Sequence, residues 1–169
     1  IRNYATVSDA IAYQYTDRGH LFYVITFPAE GKTWAYDMTM QAWHEKAYYH
    51  TTFQELQNHL ANCHGRYKQL ELVGDRKSGK IYIMRHNVYL DGTDSIHRIR
   101  TSGPLNTEFS LLTVNKVELR AMTGLATGSG SGSDPQLIMR YSLNGGHTWS
   151  SEMSRSMGKL GQYNLPMVW

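Results

Sequence analysis

Between His20 and Asp37 the chain reads HLFYVITFPAEGKTWAYD, two apolar, β-branched and aromatic runs separated by a Pro- and Gly-containing turn. Each run is too short for a long helix and neither shows a 3.6-residue repeat. The first is greasy on both faces, which predicts a strand covered on both sides, and the two together predict a hairpin. MTMQ then turns the chain into AWHEKAYY, a third strand. The same grammar continues downstream. QLELVGD and KIYIM flank an RKSG turn, and Asp91-Gly92 marks a further turn. In LLTVNKVELRAM, Val117, Leu119 and Ala121 alternate with Lys116, Glu118 and Arg120. Leu112 and Val114 have the opposite parity, which predicts a bulge or kink near Asn115.

Two segments break the pattern. GLATGSGSGSDP, Gly124 to Pro135, reads as one long Gly/Ser loop that buries nothing and joins two strands that look paired. In TTFQELQNHLANCH, Thr52 and Glu55 have capping-box spacing and Leu56 and Leu60 lie four apart. Thr52 to Leu60 is therefore left open between a short helix and a loop. The expected fold class is all-β, built of antiparallel sheets, with residues 1–169 as a single all-β region and a fragment of a longer protein. KTWAYD, GKIYIMR and QLIMRYS echo one another irregularly, 47 residues from Trp34 to Ile81 and 57 from Ile81 to Ile138, beside propeller blades of about 40–50 residues. The sheets are thus expected to form a β-propeller or propeller-like fragment.

Charge excludes more than it identifies. Lys plus Arg is 17 and Asp plus Glu is 14, a net charge of +3, without the concentrated basic footprint of a dedicated nucleic-acid binder. One cysteine, Cys63, excludes an intramolecular disulfide framework. No apolar run approaches the length of a membrane-spanning helix.

SLNGGHTW, Ser142 to Trp149, places the most permissive turn of the chain before a large ring. Gly145 and Gly146 allow positive φ, Ser142 and Asn144 can bond nearby amides, and Trp149 can fold back over the bend. The stretch resembles the Asp-box of sialidase-type propellers through Ser142, Gly146, Thr148 and Trp149, with Asn144 at the Asp position. In that family the box is a structural hairpin lock remote from the catalytic pocket, so the resemblance implies Ser142, Asn144, Gly145, Gly146, Thr148 and Trp149 as a structural turn. KTWAYDMTMQAW is similar to the kelch-type step, a Tyr-Asp strand end followed by a turn and a Trp.

Three stretches in order, GHLFYVITFPAEGKTWAYDMTMQAWHEK, then LVGDRKSGKIYIM with YLDGTDSIHRIRTSGPL, then GSDPQLIMRYSLNGGHTWSSEMSRSMGKLGQY, resemble the packaged-DNA stabilisation proteins of short-tailed bacteriophages. That resemblance implies a virion structural protein, a tail hub beneath the portal that helps retain packaged DNA and carries further tail components. It implies portal and other tail proteins as partners, a homo-oligomer of six copies in the full-length protein, no membrane, no cofactor and no catalytic residues. It also implies synthesis in the bacterial host cytoplasm and residence in the virion tail. The stiff sheets would position loops such as Gly124 to Pro135 and the region Tyr48 to Asn62 against neighbours.

His59, Cys63 and His64 in HLANCH lack the three or four converging ligands of a zinc site, so they read as ordinary strand residues. GDRKSGK lacks the phosphate-loop pattern and reads as a hairpin turn. IHRIR places Arg98 and Arg100 on one face of a strand, where copies around a channel could touch DNA phosphates; pairing with a carboxylate such as Glu118 is the plainer alternative. A sialidase-like or carbohydrate-binding propeller is the rival function, but no motif singles out an arginine cluster, a Tyr–Glu pair and an acid.

Overall fold

The computed structural model describes residues 1–85, 88–105, 112–130 and 132–169. They divide into two units, Ile1–Arg100 and Thr101–Trp169. Both are all-β, with no helix among the described residues. Leu111 of the expected LLTVNKVELRAM strand, Ser131 of the Gly/Ser loop and His86–Asn87 before the Asp91 turn lie outside the described residues.

The first unit contains β1 (Ile11–Asp17), β2 (His20–Phe27), β3 (Lys32–Asp37), β4 (Ala42–His50) and β5 (Glu55–Asn58), paired in that order as an antiparallel meander. A second antiparallel meander follows in β6 (Ala61–Tyr67), β7 (Leu70–Asp75) and β8 (Ile81–Ile83). The short strands β9 (Leu90–Asp91) and β10 (Asp94–Ser95) form a hairpin at the expected Asp91-Gly92 turn. The expected strands at His20, Gly31–Asp37 and Ala42 are thus present. The helix considered for Thr52 to Leu60 is absent: Thr51–Gln54 turn, and Glu55–Asn58 is a strand because the edge of β4 offers Tyr48 and Tyr49 as partners for Gln57 and Leu56. Tyr48 to Asn62 is accordingly strand edge and turn, not one contact loop.

Register places Tyr13, Val24, Ala35 and His44 on one face, and Ile11, Thr26, Thr33 and Lys46 beside them. This face turns toward β6–β8: Tyr13 stacks on His64 with centroids 5.6 Å apart. Val24, Ala35, Ala61 and Val73 are buried, and each buried side chain of this size gives about 1–2 kcal/mol. The buried Thr26 and Thr33 hydroxyls satisfy one another at 2.9 Å, and Thr33 Oγ1 also accepts the His59 amide at 3.1 Å. The other face of β2 is not fully covered, contrary to the two-sided expectation: Tyr23 is exposed and Ile25 half-buried.

In the second unit β11 (Glu118–Leu119) pairs with β14 (Met167–Val168), while β12 (Gln136–Met139) pairs with β13 (Met153–Ser156). The strands flanking the Gly/Ser loop are therefore not partners. The loop does not run free along its whole length either. The Gly124 amide donates to the Met157 carbonyl at 3.2 Å, its carbonyl accepts the Gly161 amide at 3.1 Å, and Ala126 is buried. Gly124 has φ +77°, and a Cβ there would stand 2.9 Å from backbone atoms of Gln162, so this turn accepts glycine only. Val117 and Leu119 remain exposed, because β11 is two residues long and finds only an edge partner. Met167 is the main buried side chain; Trp169 Nε1 donates to the Met153 carbonyl and Arg155 Nε to the Val168 carbonyl, tying the two ribbons together.

The echoing segments occupy unlike places. Trp34 lies in the middle strand of five, Ile81 in an edge strand of three and Ile138 in a two-stranded ribbon. No closed ring of sheets is present among the described residues.

Candidate functional site

The Ser142–Trp149 segment bridges β12 and β13. Tyr141 and Ser150 bracket it: the Ser150 amide donates to the Tyr141 carbonyl at 2.9 Å and the Tyr141 amide to Ser150 Oγ at 3.1 Å. Inside the bracket, Ser142 Oγ accepts the amides of Asn144 (3.3 Å) and Gly146 (2.9 Å) and donates to Asn144 Oδ1 at 2.9 Å. Asn144 Oδ1 also accepts the Thr148 amide at 2.9 Å, and its Nδ2 donates to Thr148 Oγ1 at 2.8 Å. Gly145 and Gly146 both adopt positive φ, 69° and 91°. Trp149 is half-exposed and lies against the turn, with Cζ2 3.8 Å from where a Cβ on Gly146 would sit. Ser142, Asn144, Gly146 and Thr148 thus share one hydrogen-bond network, with Gly145 in the bend and the Trp149 ring against it. Leu143, 91% exposed at the tip, is the side chain this network holds outward.

Arg98 and Arg100 are not on a strand; residues 96–100 are irregular, because β10 ends at Ser95. The shared-face expectation fails for that reason. Both are exposed, neither makes an ion pair among the described residues, and the Arg98 guanidinium lies 5.5 Å from the Tyr89 ring centroid. Glu118, the carboxylate considered for them, is held by its own neighbours Lys116 (2.7 Å) and Arg120 (2.9 Å).

A cleft of about 1000 Å³ opens in the first unit; His59 and Arg98, considered from the sequence for other roles, line it, but the cleft itself was not read from the sequence. Its wall includes Tyr15, Asp17, Lys46, His59 and Asp91. Lys46 Nζ donates to the Tyr15 hydroxyl at 2.7 Å, and burial lowers its pKa to about 8, with Asp17 and Asp91 opposing that shift. Burial also holds the Tyr15 hydroxyl well above its ordinary value and raises Asp91. His59 is pushed down to about 3 by burial and then by Lys46 and Arg76; its Nδ1 accepts the Ala61 amide at 3.2 Å, so it is a neutral structural ring. The missed signal was IAYQYTD: Tyr13 and Tyr15 alternate with polar residues and mark the strand β1 that lines this side.

The HLANCH residues do not converge. His64 Nε2 meets Glu71 at 2.6 Å on the inner face, Cys63 is exposed, and no group of three or more metal-ligating side chains exists among the described residues. GDRKSGK is the β7–β8 turn, in which Asp75 accepts the amides of Lys77 and Ser78. At the kelch-like step, Asp37 Oδ1 accepts the Thr39 and Met40 amides, and the Tyr36 and Trp43 rings meet at 4.9 Å. A shallower pocket in the second unit is lined by Met122, Leu125 and Tyr163, and Trp149 lines neither cavity.

Residues 97–169 match the family model described as bacteriophage P22 Gp10, beta-sandwich. No curated protein matches the chain. The match lies on the second unit with a few residues before it, and supports a structural protein of the tail of a P22-like short-tailed phage, with a place in the virion beside other tail proteins. It does not support the propeller expectation for that stretch: the Asp-box-like hairpin sits in a segment that matches a family model described as a β-sandwich.

Proposed function

We propose that this chain is a scaffold of a short-tailed phage tail: part of a hub beneath the portal that helps retain packaged DNA and attaches further tail components. The observation that carries the proposal is the family match over residues 97–169, a segment of two β-ribbons pinned by Trp169 and Arg155. On this reading the protein acts by geometry. Sheets hold loops in place, several copies surround the channel in the full-length protein, six by the family resemblance, and no cofactor or catalytic step is involved. The two meanders of the first unit are propeller-like blades in the same reading, consecutive antiparallel sheets packed inner face to inner face. Arg98 and Arg100, exposed and free of ion pairs among the described residues, contact DNA phosphates without sequence preference. The protein is made in the host cytoplasm and ends in the virion.

Full-length chain mixed with purified portal rings tests this by the mass of the complex in solution. A discrete multi-copy complex is expected; a chain that stays monomeric and ignores the rings overturns the hub. The rival sugar-binding reading rests on the Ser142–Trp149 turn, which lines neither the cleft of the first unit nor the pocket at Met122 and Tyr163. A glycan array with a fluorogenic sialoside assay separates the two, and turnover lost on replacing one arginine would establish the rival.

A further inference from the structure

Asn144 is the one asparagine of the chain that a glycine follows. Such a pair can react with itself: the amide nitrogen of the second residue attacks the side-chain carbonyl carbon of the first. Glycine, with no Cβ, obstructs that approach least. Three features of the Ser142–Trp149 bend bear on this reaction atom by atom.

The nucleophile is free. The Gly145 amide donates no hydrogen bond among the described residues, whereas the amides of Asn144, Gly146 and Thr148 are all taken. Residues 143–149 are exposed, so hydroxide can reach the Gly145 amide, and a Cβ there would meet nothing within 4 Å. The electrophile is polarised. Asn144 Oδ1 accepts two hydrogen bonds, from the Ser142 hydroxyl and from the Thr148 amide, each at 2.9 Å. A backbone amide can only donate, which fixes the oxygen of Asn144 on that side. Two fixed donors on one carbonyl oxygen are the arrangement that stabilises the negative charge of a tetrahedral intermediate. The leaving group has a proton source, since Nδ2 lies 2.8 Å from the Thr148 hydroxyl oxygen.

We propose that Asn144 is a self-modifying residue, which the folded turn converts to aspartate through a cyclic imide with Gly145. Hydroxide takes the Gly145 amide proton, and the electron pair of that nitrogen forms a bond to Asn144 Cγ. Negative charge gathers on Oδ1, between the Ser142 hydroxyl and the Thr148 amide. Collapse breaks the Cγ–Nδ2 bond, and the nitrogen leaves as ammonia. Its third hydrogen comes from the Thr148 hydroxyl, which recovers its own from water. One water then opens the imide, so the net change is asparagine plus water to aspartate plus ammonia. Water adding at Cγ gives aspartate; water adding at the main-chain carbonyl of residue 144 gives isoaspartate, with an extra methylene in the backbone. The donors that hold Oδ1 polarise Cγ in this step too, and so direct water there. Aspartate keeps both acceptor bonds and places a negative charge beside the exposed Leu143 tip. None of this depends on the tail role.

The test incubates the full chain at mildly alkaline pH, folded in buffer and unfolded in guanidinium chloride. Residue 144 is followed by peptide mass spectrometry, with fragmentation that separates aspartate from isoaspartate. The folded chain should convert about tenfold faster than the unfolded one, a smaller factor than a buried oxyanion site supplies because the turn is exposed. Its main product should be aspartate. Ser142→Ala removes one donor and should slow the folded reaction by about tenfold, with circular dichroism and a cooperative thermal transition confirming that the variant folds. Where that variant does not fold, the folded and unfolded parent decide by themselves. An asparagine that stays intact in the folded chain while it converts in guanidinium overturns the proposal, because the network then shields the amide. Equal rates in the two states overturn it as well, since the dipeptide then reacts without help from the turn. Isoaspartate as the main folded product, or a folded Ser142→Ala as fast as the parent, does the same.

Discussion

At the scale of single residues, the Ser142–Trp149 turn is held by short-range bonds that can be removed one at a time. Asn144→Ala deletes the acceptor for the Thr148 amide and the donor to its hydroxyl, and should cost about 1 kcal/mol in chemical denaturation. Asn144→Asp should be within about 0.5 kcal/mol of the parent, since the Thr148 hydroxyl can turn to donate to the carboxylate. Gly124→Ala meets both a positive φ and the Gln162 backbone, and should destabilise by at least about 2 kcal/mol. Gly128→Ala, with nothing within 4 Å of its Cβ, should be nearly silent by the same measurement. The turn was legible in the sequence because its chemistry is local: Ser142, Asn144, Gly146 and Thr148 lie within seven residues and bond each other, and Gly145 supplies the bend between them. Gly124 was not, because its constraint comes from Gln162, far along the chain.

At the scale of elements, two titrations report on the cleft between the meanders. Lys46 titrates near 8 when folded against 10.5 unfolded, so below pH 8 the folded state carries the full cost of the buried charge. Between pH 8 and 10 the unfolded chain binds more protons, and stability should rise by on the order of 2 kcal/mol. Lys46→Met should flatten that rise in denaturant titrations. His59 is also depressed, to about 3 from 6.5; its neutral-ring stability is present above pH 6.5 and lost as pH falls. Between pH 6.5 and 4.5 the parent should lose on the order of 2 kcal/mol that His59→Asn, which keeps an acceptor for the Ala61 amide, does not lose. Lys46 depends on strand β1 through the Tyr15 hydroxyl, and the alternation of Tyr13 and Tyr15 was present in the sequence but outweighed by the stronger signal of β2. Strand identity at Glu55–Asn58 was illegible for another reason: local spacing favours a helix cap, and only the free edge of β4 decides for strand. In the second unit each local pattern was readable, but β11 finds β14 across most of the unit, a choice no window of sequence contains.

At the scale of the whole molecule, the class of fold was readable and its architecture was not. Alternation and turn chemistry fix antiparallel strands, whereas ring or sandwich depends on how sheets meet, which the family match describes for residues 97–169 as a β-sandwich. Function follows the same division. No local constellation of acids, nucleophiles or metal ligands singled out a reaction; an ordered set of motifs along the chain pointed to a phage tail, and the family match supports that coarser statement. Quantitative mass spectrometry of purified phage particles, before and after the tails are detached from the heads, tests it most directly. The account predicts several copies of the full-length protein per particle, partitioning with the portal and tail parts. A protein made during infection but missing from the finished particle would contradict it.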